Sequence, residues 1–233
     1  KTLAFTPQMP ILELKKEVLY TDITQDKFPV LQTVDFIVFP SVHKSKDNKP
    51  ALCVHAPGIW RNADFGGKEG KLCMSSAFVM KYLFQQLEKN AREFKLDSYY
   101  QITLEATHHG PYVEKPAVFC EIGSTEKEWN DKENGKIMAA TIIKALENQN
   151  KNYKIAIGIG GPHYCSNFNK IVLRTDTAFS HICPKYHLDK LNESLIQQAI
   201  QKTVEQVDFV VLDWKGLGTE KKGIVEMLKN LNL

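Results

Sequence analysis

A chain of 233 residues, 43% of them hydrophobic and 24% charged, has the balance of a globular protein with a sizeable core, which excludes disordered and fibrous classes. The 30 Lys and Arg against 27 Asp and Glu leave a net charge of +3, too small to imply a polyanionic partner without a local basic patch. The 5 cysteines, Cys53, Cys73, Cys120, Cys165 and Cys183, are odd in number and form no CxxC pair and no dense framework, which favours a reducing compartment over a secreted scaffold.

The opening residues, KTLAFTPQMP, carry no signal-peptide pattern, and no run approaches the roughly 20 apolar residues that cross a bilayer. A cytoplasmic protein without a membrane span is expected, and Lys1 in place of Met points to a processed chain or a register inside a longer one. The first strand signal is DFIVF at 35–39. ALCVH at 51–55 follows and ends in His55 and a Pro-Gly turn, with His43 upstream on the same connection. The stretch from Lys44 to Lys71 holds Lys44, Lys46, Lys49, Arg61, Lys68 and Lys71 against Asp47, Asp64 and Glu69. It is the best candidate for a phosphate-binding patch, with Lys44 and Arg61 as contacts. From Ser75 to Phe94 the apolar positions Ala77, Met80, Phe84, Leu87, Ala91 and Phe94 keep helical spacing.

QITLEATH at 101–108 and AVFCEIG at 117–123 read as further strands, Gly135 to Asn148 as a helix and KIAIGI at 154–159 as a strand. Helices over 192–207 and 220–231 flank a last strand, DFVVLDW at 208–214. This alternation predicts an α/β fold: a single-domain three-layer sandwich over residues 1–233 with a mixed, mostly parallel sheet. Ligands in such folds collect at the carboxyl ends of the strands.

The polar clusters fall at those ends. In LEATHHGP, residues 104–111, period two would put Glu105 and His109 on one face and His108 on the other, with Gly110-Pro111 ending the strand. Histidine titrates near neutrality and is the commonest metal ligand, so the pair suggests acid–base chemistry or metal binding. In EIGSTEKEW, residues 121–129, Glu121 closes an apolar strand and needs a partner. Thr125 with Glu128 has the form of a capping box, and the amides beside Ser124 and Thr125 could face a phosphate or an oxyanion.

GIGGPHYC, residues 158–165, fails as a dinucleotide loop because the third glycine position falls on His163 and Pro162 sits where a helix should open. It reads instead as a glycine turn that brings His163 and Tyr164 to the same edge, with Cys165 a buried structural thiol. FSHICPKY at 179–186 adds His181, Lys185 and Tyr186, the lysine being able to hold a phosphate or stabilise developing negative charge. No HExxH or CxxC announces zinc, so a metal site would be assembled from distant segments. His55, His108, His109, Glu121 and His163 each end a predicted strand, the geometry of a convergent site.

LEATHHGP, EIGSTEKEW, GGPHY and HICPKY, in this order and with VHAPG (54–58) and DWKG (213–216), closely resemble the archaeal and plant type of D-aminoacyl-tRNA deacylase, from about His43 to Gly216. The chain departs from the family pattern at Ile59, where Asn is usual, and at Pro162, where Gly is usual. The resemblance implies hydrolysis of the ester between a D-amino acid and the 3′ end of tRNA, a phosphorylase/hydrolase-like fold and a dependence on zinc. Zinc ligands would come from His55, His108, His109, Glu121 and His163. Without zinc, His108 or His109 could be the base, oriented by Glu105 or Glu121, with the amides near Ser124 and Lys185 facing the oxyanion. The competing readings are a zinc-dependent peptidase or amidase on a similar fold and a non-catalytic RNA-binding module using the 44–71 region. A monomer is expected.

Overall fold

The computed structural model describes residues 2–6, 9–14, 17–147 and 152–233; Lys1 and Asn148, where two of the readings above fall, lie outside them. In chain order the strands are β1 (Thr2–Thr6), β2 (Met9–Leu12), β3 (Ile37–His43), β4 (Ala51–His55), β5 (Gln101–Leu104), β6 (Ala117–Gly123), β7 (Lys154–Ile159), β8 (Thr177–Cys183) and β9 (Phe209–Leu212). The helices are α1 (Ala77–Glu93), α2 (Glu126–Trp129), α3 (Lys132–Glu147), α4 (Ser166–Arg174), α5 (Glu193–Gln201) and α6 (Lys221–Asn230).

β1 and β2 form an antiparallel hairpin, β3-β6-β4-β5 a four-stranded sheet and β8-β7-β9 a three-stranded sheet. Within the two larger sheets every pair is parallel except β4 with β6. The expected α/β architecture with mostly parallel pairing is therefore present, divided between two main sheets. The two sheets share one core. Met80, Leu83, Phe84 and Leu87 of α1 pack with Val54, Leu104, Val118, Ile155 and Phe179 from both sheets. A ring the size of Phe84, 1% exposed, contributes about 2 kcal/mol by leaving water. On the opposite side of β7, Ile157 and Ile159 meet Leu195, Ile196 and Ala199 of α5 and Ile224 and Leu228 of α6.

α1 starts where it does because Ser76 caps it, accepting from the Val79 N–H, while the Glu205 carboxylate accepts from the Ala77 and Phe78 N–H groups. α4 is tied to α1 by Lys81, whose buried ammonium donates to the carbonyls of Val172, Thr175 and Thr177 at 2.7, 2.7 and 2.9 Å. This answers the unpaired carbonyls at the end of α4 with a positive charge.

Three sequence readings need correction. β3 begins at Ile37 and runs to His43, so the strand reaches the site rather than stopping at Phe39. β5 stops at Leu104 instead of continuing to His108, because the amides beyond Glu105 leave the ladder: Ala106 N–H donates to His163 O at 2.8 Å and Thr107 N–H to Ile182 O at 2.9 Å. β8 and α4, like the β1–β2 hairpin, have no counterpart among the predicted elements.

Candidate active site

The ends of β3, β4 and β5, a position near the end of β6 and two loops meet at one place. Parallel pairing sets His43 of β3 against Gly123 of β6, while antiparallel pairing sets Glu121 of β6 against Cys53 and Phe119 against His55 of β4. Glu105 follows β5 directly, its N–H donating to Val54 O at 3.0 Å, so its carboxylate enters beside His55. His55 and Glu105 are fully buried, and Glu121 and His43 nearly so.

His55 stacks on Phe119 with ring centroids 5.0 Å apart and planes within 1°. Its Nδ1 faces Ala56 O at 3.2 Å, which fixes the proton there, since a carbonyl oxygen can only accept. Nε2 then points its lone pair towards Glu121 Oε2 at 3.6 Å and Glu105 Oε2 at 3.9 Å. Such an arrangement is repulsive unless a proton or another cation lies between. His108 and His109 repeat the pattern, donating Nδ1–H to Ala106 O at 2.8 Å and to Gly110 O at 2.6 Å.

The two neighbouring histidines do not diverge. His108 and His109 lie 4.2 and 4.7 Å from His55, centroid to centroid, and 4.3 Å from each other. Strand alternation does not govern them because the strand has already ended, and His109 adopts a left-handed backbone at φ 41° that turns its ring back onto the site. His163, from the loop after β7, is 4.6 Å from His108, and its Nε2 is 3.2 Å from Glu105 Oε1. Tyr186 meets His163 Nδ1 at 2.8 Å, and Tyr164 meets His43 Nε2 at 3.0 Å.

These neighbours divide the titrations. Burial opposes charging His43 and His55, but Glu121 and Glu105 outweigh it and lift both above the ordinary histidine range. Burial likewise disfavours the ionised carboxylates, yet the surrounding histidines hold Glu105 and Glu121 below the usual carboxylate range. Burial pushes His108 well down, helped by His55 and His109, and lowers His109 to about 4. Neutral His108 and His109 rings, with Nδ1–H engaged, leave Nε2 as a free lone pair.

All five predicted metal-site residues converge here, together with Glu105, expected only to orient a histidine, and His43, Tyr164 and Tyr186, which the predicted site did not include. Glu105 carried the same signal as Glu121, a carboxylate ending an apolar strand. The remaining predicted residues have other partners. Ser124 Oγ donates to Lys49 O at 2.5 Å, and Thr125 N–H and Oγ1 both donate to Glu128 Oε2, at 2.9 and 2.6 Å, as the capping box anticipated. Arg61 is 3.7 Å from Asp189, Lys44 is exposed, and the exposed Lys185 is anchored through its N–H to Gly161 O at 2.9 Å.

A helix-flanked α/β fold with imidazoles and carboxylates gathered at strand ends defines a protein with a preformed polar reaction centre of the hydrolytic kind. Comparison narrows the class. The sequence profile of the D-aminoacyl-tRNA deacylase family matches residues 30–233. Proteins named D-aminoacyl-tRNA deacylase are 42% identical in Thermococcus kodakarensis, over 88% of this chain and 75% of that protein, and 35% identical in Methanocaldococcus jannaschii, over 94% and 87%. A crystal structure titled as a conserved protein of unknown function superposes with a TM-score of 0.88 at 29% identity, covering 98% of this chain and 80% of that one. The chain belongs to the D-aminoacyl-tRNA deacylase family. Among the described residues no helix is long and apolar enough to cross a membrane.

Proposed function

We propose that this chain hydrolyses the ester joining a D-amino acid to the 3′ end of tRNA and releases both, the activity its relatives are named for. The observation that carries the proposal is the convergence of His55, His108, His109 and His163 with Glu105 and Glu121 at the end of β4, in a chain of this family.

An aminoacyl ester is already activated. The site must orient a water, take its proton and return a proton to the departing 3′ oxygen. We assign both transfers to Nε2 of His163, on a side chain 33% exposed to an incoming substrate, with Glu105 Oε1 3.2 Å away to share the proton and Tyr186 holding Nδ1. His43 Nδ1, 3.4 Å from Glu105 and 3.7 Å from Glu121, faces the two carboxylates from the buried side. His108 and His109 crowd the same point with unprotonated nitrogens, so they can orient the water but cannot act as acids near neutrality.

Zinc, which the resemblance implies, suits this donor set. Among the described residues, His55 Nε2 and both Glu105 oxygens are buried with ionic neighbours but no hydrogen bond, and His55, His108 and His109 bring ligand atoms within 4.8 Å of one another. Each of these histidines spends its Nδ1–H on a backbone carbonyl, the orientation that metal-ligating histidines adopt. His55, His108 and His109 with Glu121 or Glu105 would hold the ion. When bound, zinc supplies Lewis-acid polarisation of the ester carbonyl and lowers the pKa of water.

The test is release of D-tyrosine from charged tRNA, compared with cleavage of small peptides. Hydrolysis of D-tyrosyl-tRNA without peptide cleavage is expected, whereas activity confined to peptides would replace the proposal with a peptidase. Elemental analysis should find about one zinc per chain in the parent and little in His55→Ala, since a catalytic zinc has few protein ligands to lose. A parent that stays metal-free after incubation with zinc would remove the metal from the account.

A further inference from the structure

Beside the histidine loop lies a cluster that hydrolysis does not use. Phe65 is 67% exposed and Tyr20 61% exposed. Phe65 is nevertheless held firmly, because Gly110, the residue after His109, donates its N–H to Phe65 O at 3.0 Å. The backbones touch here. A Cβ at Gly110 would collide with Leu19 O and the Gly67 amide, and one at Gly66 would collide with the same Leu19 carbonyl. Gly66 and Gly67 also need positive φ, at 73° and 81°. The three glycines therefore lock the segment carrying Phe65, and the one carrying Tyr20, onto the catalytic loop. Two residues beyond Gly110, the Tyr112 ring lies 3.8 Å from Lys68 Nζ, which is also 3.8 Å from Asp22.

The exposed rings of Phe65 and Tyr20, with a half-buried Tyr112 ring under a lysine, on closely packed backbone, are the features of a surface that stacks unpaired bases. We propose that Phe65, with Tyr20 and the Tyr112–Lys68 pair beside it, stacks the unpaired bases at the 3′ end of the RNA substrate and so delivers the ester to His108 and His109. The inference rests on the proposed function. Stacking suits it because the ester sits on a single-stranded tail, and every base presents a π-face whatever the tRNA.

The experiment uses an uncharged RNA hairpin with an unpaired 3′ tail and the same hairpin made blunt. The parent chain should bind the tailed form more tightly. Phe65→Ala should weaken binding of the tailed hairpin about tenfold and leave the blunt one unchanged. Phe65→Trp should keep the preference, and the indole emission this variant adds should be quenched by the tailed hairpin alone. A tail preference that survives Phe65→Ala, or added emission in Phe65→Trp that is blind to the tail, would overturn the inference. D-tyrosyl-tRNA hydrolysis by the parent is scored separately. A parent that grips the tail through Phe65 yet releases no D-tyrosine keeps this inference and sinks the proposed function. One that releases D-tyrosine while Phe65→Ala keeps its tail preference does the reverse.

Discussion

His55 and His181 are both fully buried histidines, yet their surroundings give them opposite characters. His181 has a partner for each ring nitrogen, Lys202 O at 3.3 Å from Nε2 and Thr107 Oγ1 at 3.5 Å from Nδ1, and burial lowers its pKa to about 4. His55 satisfies Nδ1 and leaves Nε2 facing two carboxylates, and its pKa is raised against the pull of burial. Burial does not distinguish a working histidine from a structural one. A lone pair held against negative charge, as at His55 Nε2, is what supports a role in binding a cation.

The contrast predicts large catalytic effects on one side and stability effects on the other. His163→Ala should lower kcat for D-tyrosyl-tRNA roughly a thousandfold, within the range of a lost acid–base group, with the far-ultraviolet circular dichroism unchanged. A loss of tenfold or less would take the proton transfers away from His163. His181→Gln should leave kcat within a few-fold and change the stability profile instead. His181 is neutral in the fold, with its pKa lowered to about 4, and protonates near 6.5 when unfolded. Its contribution is complete above pH 6.5 and is lost as the pH falls towards 4. Urea titrations should therefore show the parent losing up to about 3 kcal/mol more than His181→Gln between pH 7 and 4. Parallel losses in the two proteins would show that His181 titrates no differently in the fold. The smallest effects belong to the basic stretch. Lys44→Ala and Lys68→Ala should each weaken tRNA binding a few-fold and flatten its salt dependence by about one ion. Unchanged salt slopes would remove that stretch from the RNA contact.

The same contrast explains what the sequence disclosed. β4, β6 and β7 were legible because strands buried on both faces read as apolar runs, and α1 because its apolar positions keep helical spacing. β8 is as deeply buried, but Thr177, Ser180 and His181 interrupt its pattern, and Thr203, Thr107 and Lys202, which satisfy the last two, come from other segments. The candidate site was legible as a list of histidines at or shortly after apolar runs, with Glu121. Its shape was not, because the end of β5 is set by amides pairing with His163 and Ile182, far away in sequence. Without those contacts Glu105 reads only as a residue that orients a histidine.

The most direct test returns to His108 and His109, whose rings converge on His55 although they are neighbours in the chain. The double variant His108→Ala/His109→Ala should be assayed for single-turnover release of D-tyrosine from D-tyrosyl-tRNA and, in parallel, for binding of uncharged tRNA. Binding should stay within a few-fold of the parent while release slows by at least about a thousandfold. Release at the parental rate would contradict a catalytic role and leave the histidine cluster a structural feature of the fold.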